Sequence, residues 1–152
     1  MSRLVKGILI AVVAFFVLMG IVIGVVVAVG LYGSKQMKRE ANERAAARNL
    51  GLISVGEVRY YTENGEYATF DNLVKAGLLD GKFAGTSPVV DGYVYVLQVT
   101  PAAGGQRPSF TASAHPRDSQ AGARHFFLDH RSSTIYVNPN QPASANDPAF
   151  VR

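Results

Sequence analysis

The chain has 152 residues, 48% of them hydrophobic, and a formal net charge of +4, which leaves room for a membrane segment and one small folded domain but not for two cores. The positive excess belongs to the N-terminal third: residues 49–152 hold eight Lys or Arg against nine Asp or Glu, so a basic nucleic-acid-binding surface is excluded. There is no cysteine, which rules out disulfides, thiolate zinc sites and thiol nucleophiles and leaves packing to stabilise the domain.

Residues 1–7, with Arg3 and Lys6, form a short basic leader or cytoplasmic end. From Gly7 to Ser34 there are 28 residues without a charge or a proline. A helix needs about 20 apolar residues to cross the hydrocarbon core, whereas a cleaved secretory signal has an apolar core of about 7–15. The run is therefore predicted to be a retained transmembrane helix over 8–34. Gly20 and Gly24 make a small-xxx-small pattern that lets two membrane helices approach closely; the same glycines are equally at home in a helix that meets only lipid. Beyond the run stand Lys35, Lys38, Arg39, Arg44 and Arg48. Counted by itself, this flank leans toward a cytoplasmic C-terminal domain, because cytoplasmic flanks carry the excess of Lys and Arg.

Residues 35–137 read as the folded head. Lys35 to Asn49 is helix-forming, with Arg39–Glu43 and Glu40–Arg44 at the spacing that supports an exposed helix, and no proline occurs before Pro88. The helix is predicted to continue with Ala46, Leu50, Ile53, Val58 and Tyr61 near one face, despite Gly51 and Gly56, each costing about 1 kcal/mol relative to Ala. Asn64-Gly65 ends it. A short helix follows, with Asp71 as N-cap and Gly77 as its stop. After Pro88 the period changes to two, which predicts strands over 93–100, 110–114, 124–129 and 134–137, the last pair joined by the loop His130-Arg131-Ser132-Ser133. Residues 138–152 read as an irregular C-terminal tail. The expected fold is α+β: a long N-terminal helix, membrane half plus amphipathic half, packed by the latter on a three- to four-stranded antiparallel sheet whose apolar face it covers.

Chemistry-bearing residues are few. His115, His125 and His130 with Asp129, Ser132 and Ser133 are the only set from which a catalytic or metal constellation can be drawn, and no HExxH, GxSxG or phosphate-cradling glycine loop is present. No catalytic or cofactor-binding residue is assigned. Tyr60, Tyr61, Tyr67, Tyr93, Tyr95, Phe126 and Phe127 are expected to fill the space between helix and sheet rather than to form a binding surface.

The segment Tyr60-Tyr61-Thr62-Glu63-Asn64-Gly65-Glu66-Tyr67-Ala68-Thr69-Phe70-Asp71, continued by Asn72-Leu73-Val74-Lys75-Ala76-Gly77-Leu78-Leu79-Asp80, resembles type IV pilin-like proteins, most closely the major pseudopilins of type II secretion systems. Helix end, Asn-Gly turn, Tyr-x-Thr step and leucine-rich short helix follow in the same order. The late pair Phe126-Phe127-Leu128-Asp129 and Ile135-Tyr136-Val137 fits too. The resemblance implies a non-catalytic filament subunit of a pilus or pseudopilus, partnered by copies of itself or related subunits and by membrane lipid, with no small-molecule substrate. It implies leader cleavage between Gly7 and Ile8, N-terminal methylation, and a head on the periplasmic or extracellular side of the cytoplasmic membrane. It also implies calcium in the strand-rich C-terminal region, for which Asp118 and Asp129 are the candidates, although six to eight oxygen ligands are required. One departure matters: the family's acidic residue, fifth after the cleavage point, is replaced by Val12. That departure motivates the alternative expectation of a single-pass, membrane-anchored binding domain that does not polymerise.

Overall fold

The computed structural model describes residues 3–132 and 134–151, with only the backbone described for 3–14, 28, 29 and 31. The chain divides into two compact units, residues 1–37 and 38–152. Helix α1 runs from Arg3 to Asn64. Its apolar part is long and hydrophobic enough to cross a membrane. In the first unit, Phe15, Phe16, Val17, Leu18, Ile21, Val22 and Val25 to Val27 are all exposed.

The second unit is α+β. From Lys38 onward α1 has a buried stripe, Glu43, Ala46, Ala47, Asn49, Leu50, Ile53 and Glu57, while Leu52, Val55 and Val58 on its other side stay exposed. The stripe advances by three and four residues, the step of an α-helix face. Val58, expected on the inner face, is 54% exposed, and its place is taken by Glu57, which is fully buried. Gly56 lies under the segment that follows α2. A Cβ at this position would sit 3.4 Å from the Leu78 carbonyl and 3.8 Å from a Leu73 methyl, ordinary van der Waals contact, so the packing there does not require glycine.

Gly65 adopts φ +76° and donates its N–H to the Tyr61 carbonyl, ending α1. Helix α2 (Phe70–Lys75) is capped by Thr69, whose hydroxyl accepts the Asn72 N–H. Asp71, expected as the cap, lies inside the helix and instead accepts the Gly85 N–H at 2.7 Å. The stop at Gly77 is as expected: φ is +70°, and Gly77 and Leu78 donate to the Val74 and Leu73 carbonyls, a left-handed C-terminal closure that favours glycine. A 3₁₀ turn (Gly81–Phe83) leads to the sheet.

The sheet has five antiparallel strands in chain order: β1 (Val89–Val90), β2 (Tyr93–Thr100), β3 (Ser109–Pro116), β4 (His125–Asp129) and β5 (Tyr136–Asn138). The expected three or four strands are thus one short. The missed strand is β1, joined to β2 by Asp91 (φ 51°) and Gly92 (φ 80°) with Val90 opposite Tyr93. This is a two-residue turn with both residues left-handed, the geometry that Asp-Gly favours. The connection between β4 and β5 is longer than expected and includes Ser133, which lies outside the described residues.

Tyr93, Tyr95, Phe110, Ala112, Ala114, Phe126 and Leu128 are buried and form one cluster with Ala46, Ala47, Leu50 and Ile53 of α1. Of the aromatics expected between helix and sheet, Tyr93, Tyr95 and Phe126 are buried there and Tyr60 and Tyr67 pack against the cluster, whereas Tyr61 is exposed and Phe127 lies on the other face of the sheet. Alternate residues, including Val94, Ser113, His115, His125 and Phe127, are half-buried on the opposite face of the sheet. The stretch 139–151 is irregular but anchored. Val137 donates to the Pro148 carbonyl, Phe150 donates to the Ile135 carbonyl at 2.7 Å, and the Phe150 ring meets Phe126 edge-on at 5.3 Å.

The revised helix face has a direct test. Ile53→Ala is expected to lower unfolding free energy by about 2–5 kcal/mol through lost burial and a residual cavity, whereas Val58→Ala changes it by no more than about 0.5 kcal/mol. Urea unfolding of residues 38–152 in the full-length, detergent-solubilised protein measures both, and equal losses would restore Val58 to the core.

Candidate functional site

Three polar places stand out among the described residues of the second unit. The first joins α1 to the β3–β4 connection. Glu43, 6% exposed, takes the Arg124 guanidinium on Oε2 at 2.6 Å and the Ala123 and Arg124 N–H groups on Oε1 at 3.0 and 3.4 Å. This replaces the expected Arg39–Glu43 pair. A carboxylate removed from water needs several donors to offset its desolvation, and the connection supplies three where a helix neighbour supplies one. Glu40 and Arg44 do pair, exposed, at 3.6 Å. Arg124 also lies over the Phe150 ring at 5.3 Å, so one guanidinium links helix, sheet connection and C-terminal stretch. Gly122 allows this closeness, because any Cβ there would overlap the Tyr93 hydroxyl and crowd the Glu43 side chain.

Beside this seam opens a cleft of about 330 Å³ bordered by Lys38, Asn42, Asp91, Arg117 and Asp118. Several of its polar groups are already engaged. Asn42 donates to the Ala121 carbonyl at 2.9 Å, and Asp91 accepts from Asn49, which also donates to the Tyr95 hydroxyl. Burial pushes the Tyr95 phenol up to about 12. Asp118 accepts the Gln120 and Ala121 N–H groups at 2.9 and 3.0 Å and the Arg117 side chain at 3.3 Å. Those backbone bonds hold its carboxyl below the usual carboxylate value.

The second place is Glu57. Its Oε2 accepts the Ala68 N–H at 2.8 Å, while Oε1 is buried without a partner among the described residues. Burial pushes this carboxyl from an ordinary 4.5 up to about 7, against the opposing pull of the Ala68 hydrogen bond. The stripe spacing Ala46, Leu50, Ile53 leads to residue 57, so the helical period alone marks the position; preferring the apolar neighbour Val58 hid it.

The third place is on the outer face of the sheet, where His115 of β3 and His125 of β4 bring their Nδ1 atoms to 3.0 Å. Burial lowers both imidazoles, and for His115 the neighbouring His125 adds to the effect. His130 is not part of this pair: it lies past the other end of β4, with its ring against Tyr67 and Phe110. Asp129 caps the adjoining turn by accepting the Arg131 N–H, and Ser132 accepts the Thr134 N–H. Asp129 pairs with Thr111 near the start of β3, and Asp118 follows Pro116 at the end of that strand, so the two calcium candidates lie toward opposite ends of β3. Among the described residues, no three His, Asp or Glu side chains gather in a metal-binding group. Gly20 and Gly24 are exposed on α1 with nothing within 4 Å of a Cβ built on either. Gly7 and Ile8 are helical in backbone, and their side-chain surroundings lie outside what is described. No family model, curated protein or solved structure matches the chain.

Glu57 dictates a pH dependence. Below 4.5 folded and unfolded chains both hold its proton, and there is no penalty. Between 4.5 and 7 the unfolded chain releases the proton while the folded one keeps it, so stability falls as pH rises, by about 3 kcal/mol in all, and levels off above 7. Glu57→Gln keeps an acceptor for Ala68 and removes the titration. The expected result is a flatter stability profile between pH 4.5 and 7, and an unchanged slope in urea unfolding would assign the dependence elsewhere.

Proposed function

We propose that this chain is a membrane-anchored, non-catalytic structural subunit of a pilin-like filament, its head displayed outside the cytoplasmic membrane. The observation that carries this reading is the composition of α1: a single helix, Arg3–Asn64, whose exposed apolar part suits lipid and whose later part is the covering layer of a small antiparallel sheet. The resemblance of residues 60–80 supports the same reading. In it, the apolar part of α1 packs against copies of itself or related subunits, with Gly20 and Gly24 at the places of closest approach.

Filaments sheared from cells and subjected to N-terminal sequencing test it. Mature chains beginning at Ile8 are expected; full-length monomers confined to the cytoplasmic membrane are the contrary result. A second reading, a monomeric anchored binding domain, is favoured by one specific observation, Val12 in place of an acidic residue. Val12→Glu separates the two. A filament subunit tolerates the carboxylate or assembles better, whereas a lone membrane helix gains only a costly intramembrane charge.

Display outside the cytoplasm opposes the flank-charge count, so topology is a separate test. A cysteine placed by Ser132→Cys, in the β4–β5 connection, is expected to react with a membrane-impermeant thiol reagent once any outer barrier is permeabilised and while the cytoplasmic membrane is intact. Protection until that membrane is lysed would put the head in the cytoplasm and end the filament reading.

A further inference from the structure

The outer face of the sheet is ordinary except at one point. Its cross-strand rows can be read from the register: Val94 lies opposite His115, His125 lies opposite Asn138, and Ala114 opposite Phe126 makes His115 and His125 the next facing pair. The row is therefore Val94, His115, His125, Asn138. Within it the two imidazoles lie with ring centres 5.2 Å apart and Nδ1 atoms 3.0 Å apart. At that separation one Nδ1–H donates to the other Nδ1, so each ring points a nitrogen at the same small volume.

We propose that His115 and His125 together chelate a divalent transition metal of tetragonal preference, Cu²⁺ foremost, through their two Nδ1 atoms. The separation suits a cis pair of ligands on such an ion. With metal–imidazole bonds of about 2.0–2.1 Å, two ligands at a right angle have nitrogens about 2.9 Å apart, and two at the tetrahedral angle about 3.4 Å. The observed 3.0 Å matches the right angle, the cis arrangement of tetragonal Cu²⁺ or Ni²⁺ rather than a tetrahedral zinc site. A metal bonded to both nitrogens lies about 1.4 Å off the line between them, so chelation turns each Nδ1 by about 40° from its neighbour toward the ion.

The proton balance is simple. In the neutral pair one ring carries its proton on Nδ1 and the other on Nε2; on chelation the first moves its proton to Nε2 through solvent, and the pair neither gains nor loses a proton. Both Nδ1 lone pairs then face the metal. Asn138 does not complete the site, since its amide donates to Asp147 and its carbonyl oxygen accepts the Asn140 and Gln141 N–H groups. Val94, on the other side, has no donor. Two protein ligands leave the remaining positions to water or to an outside ligand, which makes this an open, exchangeable site rather than a structural one.

The test is titration of the full-length protein in detergent with Cu²⁺ alone, followed by electron paramagnetic resonance. Saturable binding of one equivalent is expected, with hyperfine coupling to two imidazole nitrogens. His115→Gln and His125→Gln should each weaken it by at least about tenfold, since even the loss of an outer-shell partner costs about 10–100-fold; His130→Gln should leave it unchanged. Circular dichroism of each variant confirms that the fold is retained, and a variant that does not fold is replaced by the corresponding His→Asn. No saturable binding, coupling to a single imidazole, or binding that survives both substitutions in folded protein overturns the proposal.

Discussion

A five-stranded meander with one apolar face cannot stand in water, and covering that face is the constraint from which the rest of the second unit follows. The cover is α1, and its fit depends on small residues: Ala46 and Ala47 on the helix and Ala112 and Ala114 on β3, all fully or almost fully buried. Short side chains on both surfaces bring helix and sheet close together, and the large aromatic residues Tyr93, Tyr95, Phe110 and Phe126 fill the space around them. Close-packed interiors leave little tolerance in volume, so the positions of the connections are set by this contact as well. Gly122 against Tyr93 gives up a side chain to keep it.

The polar residues on the same helix face act as fasteners. Glu43 holds the β3–β4 connection, Asn49 reaches the β1–β2 turn and the Tyr95 hydroxyl, and Glu57 holds Ala68 at the start of α2. Each ties a different loop to one rigid element, at separations along the chain of 80, 42 and 11 residues. A purely apolar stripe would bury as well but would not choose among neighbouring registers; a buried hydrogen bond does, because the shifted arrangement leaves a polar group without a partner.

What the residues disclosed in advance was whatever repeats with a period. The apolar run, the helix stripe as far as Ile53, the alternation in β2 and β3 and the Asn64-Gly65 and Gly77 stops all come from local pattern and backbone preference. Strand β1 has only two residues and no period to detect, yet Asp91-Gly92 was a legible turn signal beside it. The exchange of Val58 for Glu57 came from ranking hydrophobicity above helical phase. The replacement of Arg39 by Arg124 as the partner of Glu43 could not be read locally, since spacing along a helix shows which charges are near in sequence and not which ones the tertiary fold brings in. The His115–His125 pair has the same origin: ten residues apart, it exists only because β3 and β4 pair in one register and not the next.

The separation of 81 residues between Glu43 and Arg124 also orders events during synthesis. At about 5–20 residues per second, the helix side of the pair waits roughly 4–16 s after it is made before its guanidinium partner exists. Strands β1 to β3 are made within that interval, whereas β4, with the core residues Phe126 and Leu128, is not, and Glu43 waits for its donors. The head therefore closes fully only in a late step, when β4 has left the ribosome and the stretch around Phe150 can lock over Arg124. A chain interrupted before that point retains the whole of α1 with its inner face only partly covered and the Glu43 seam open.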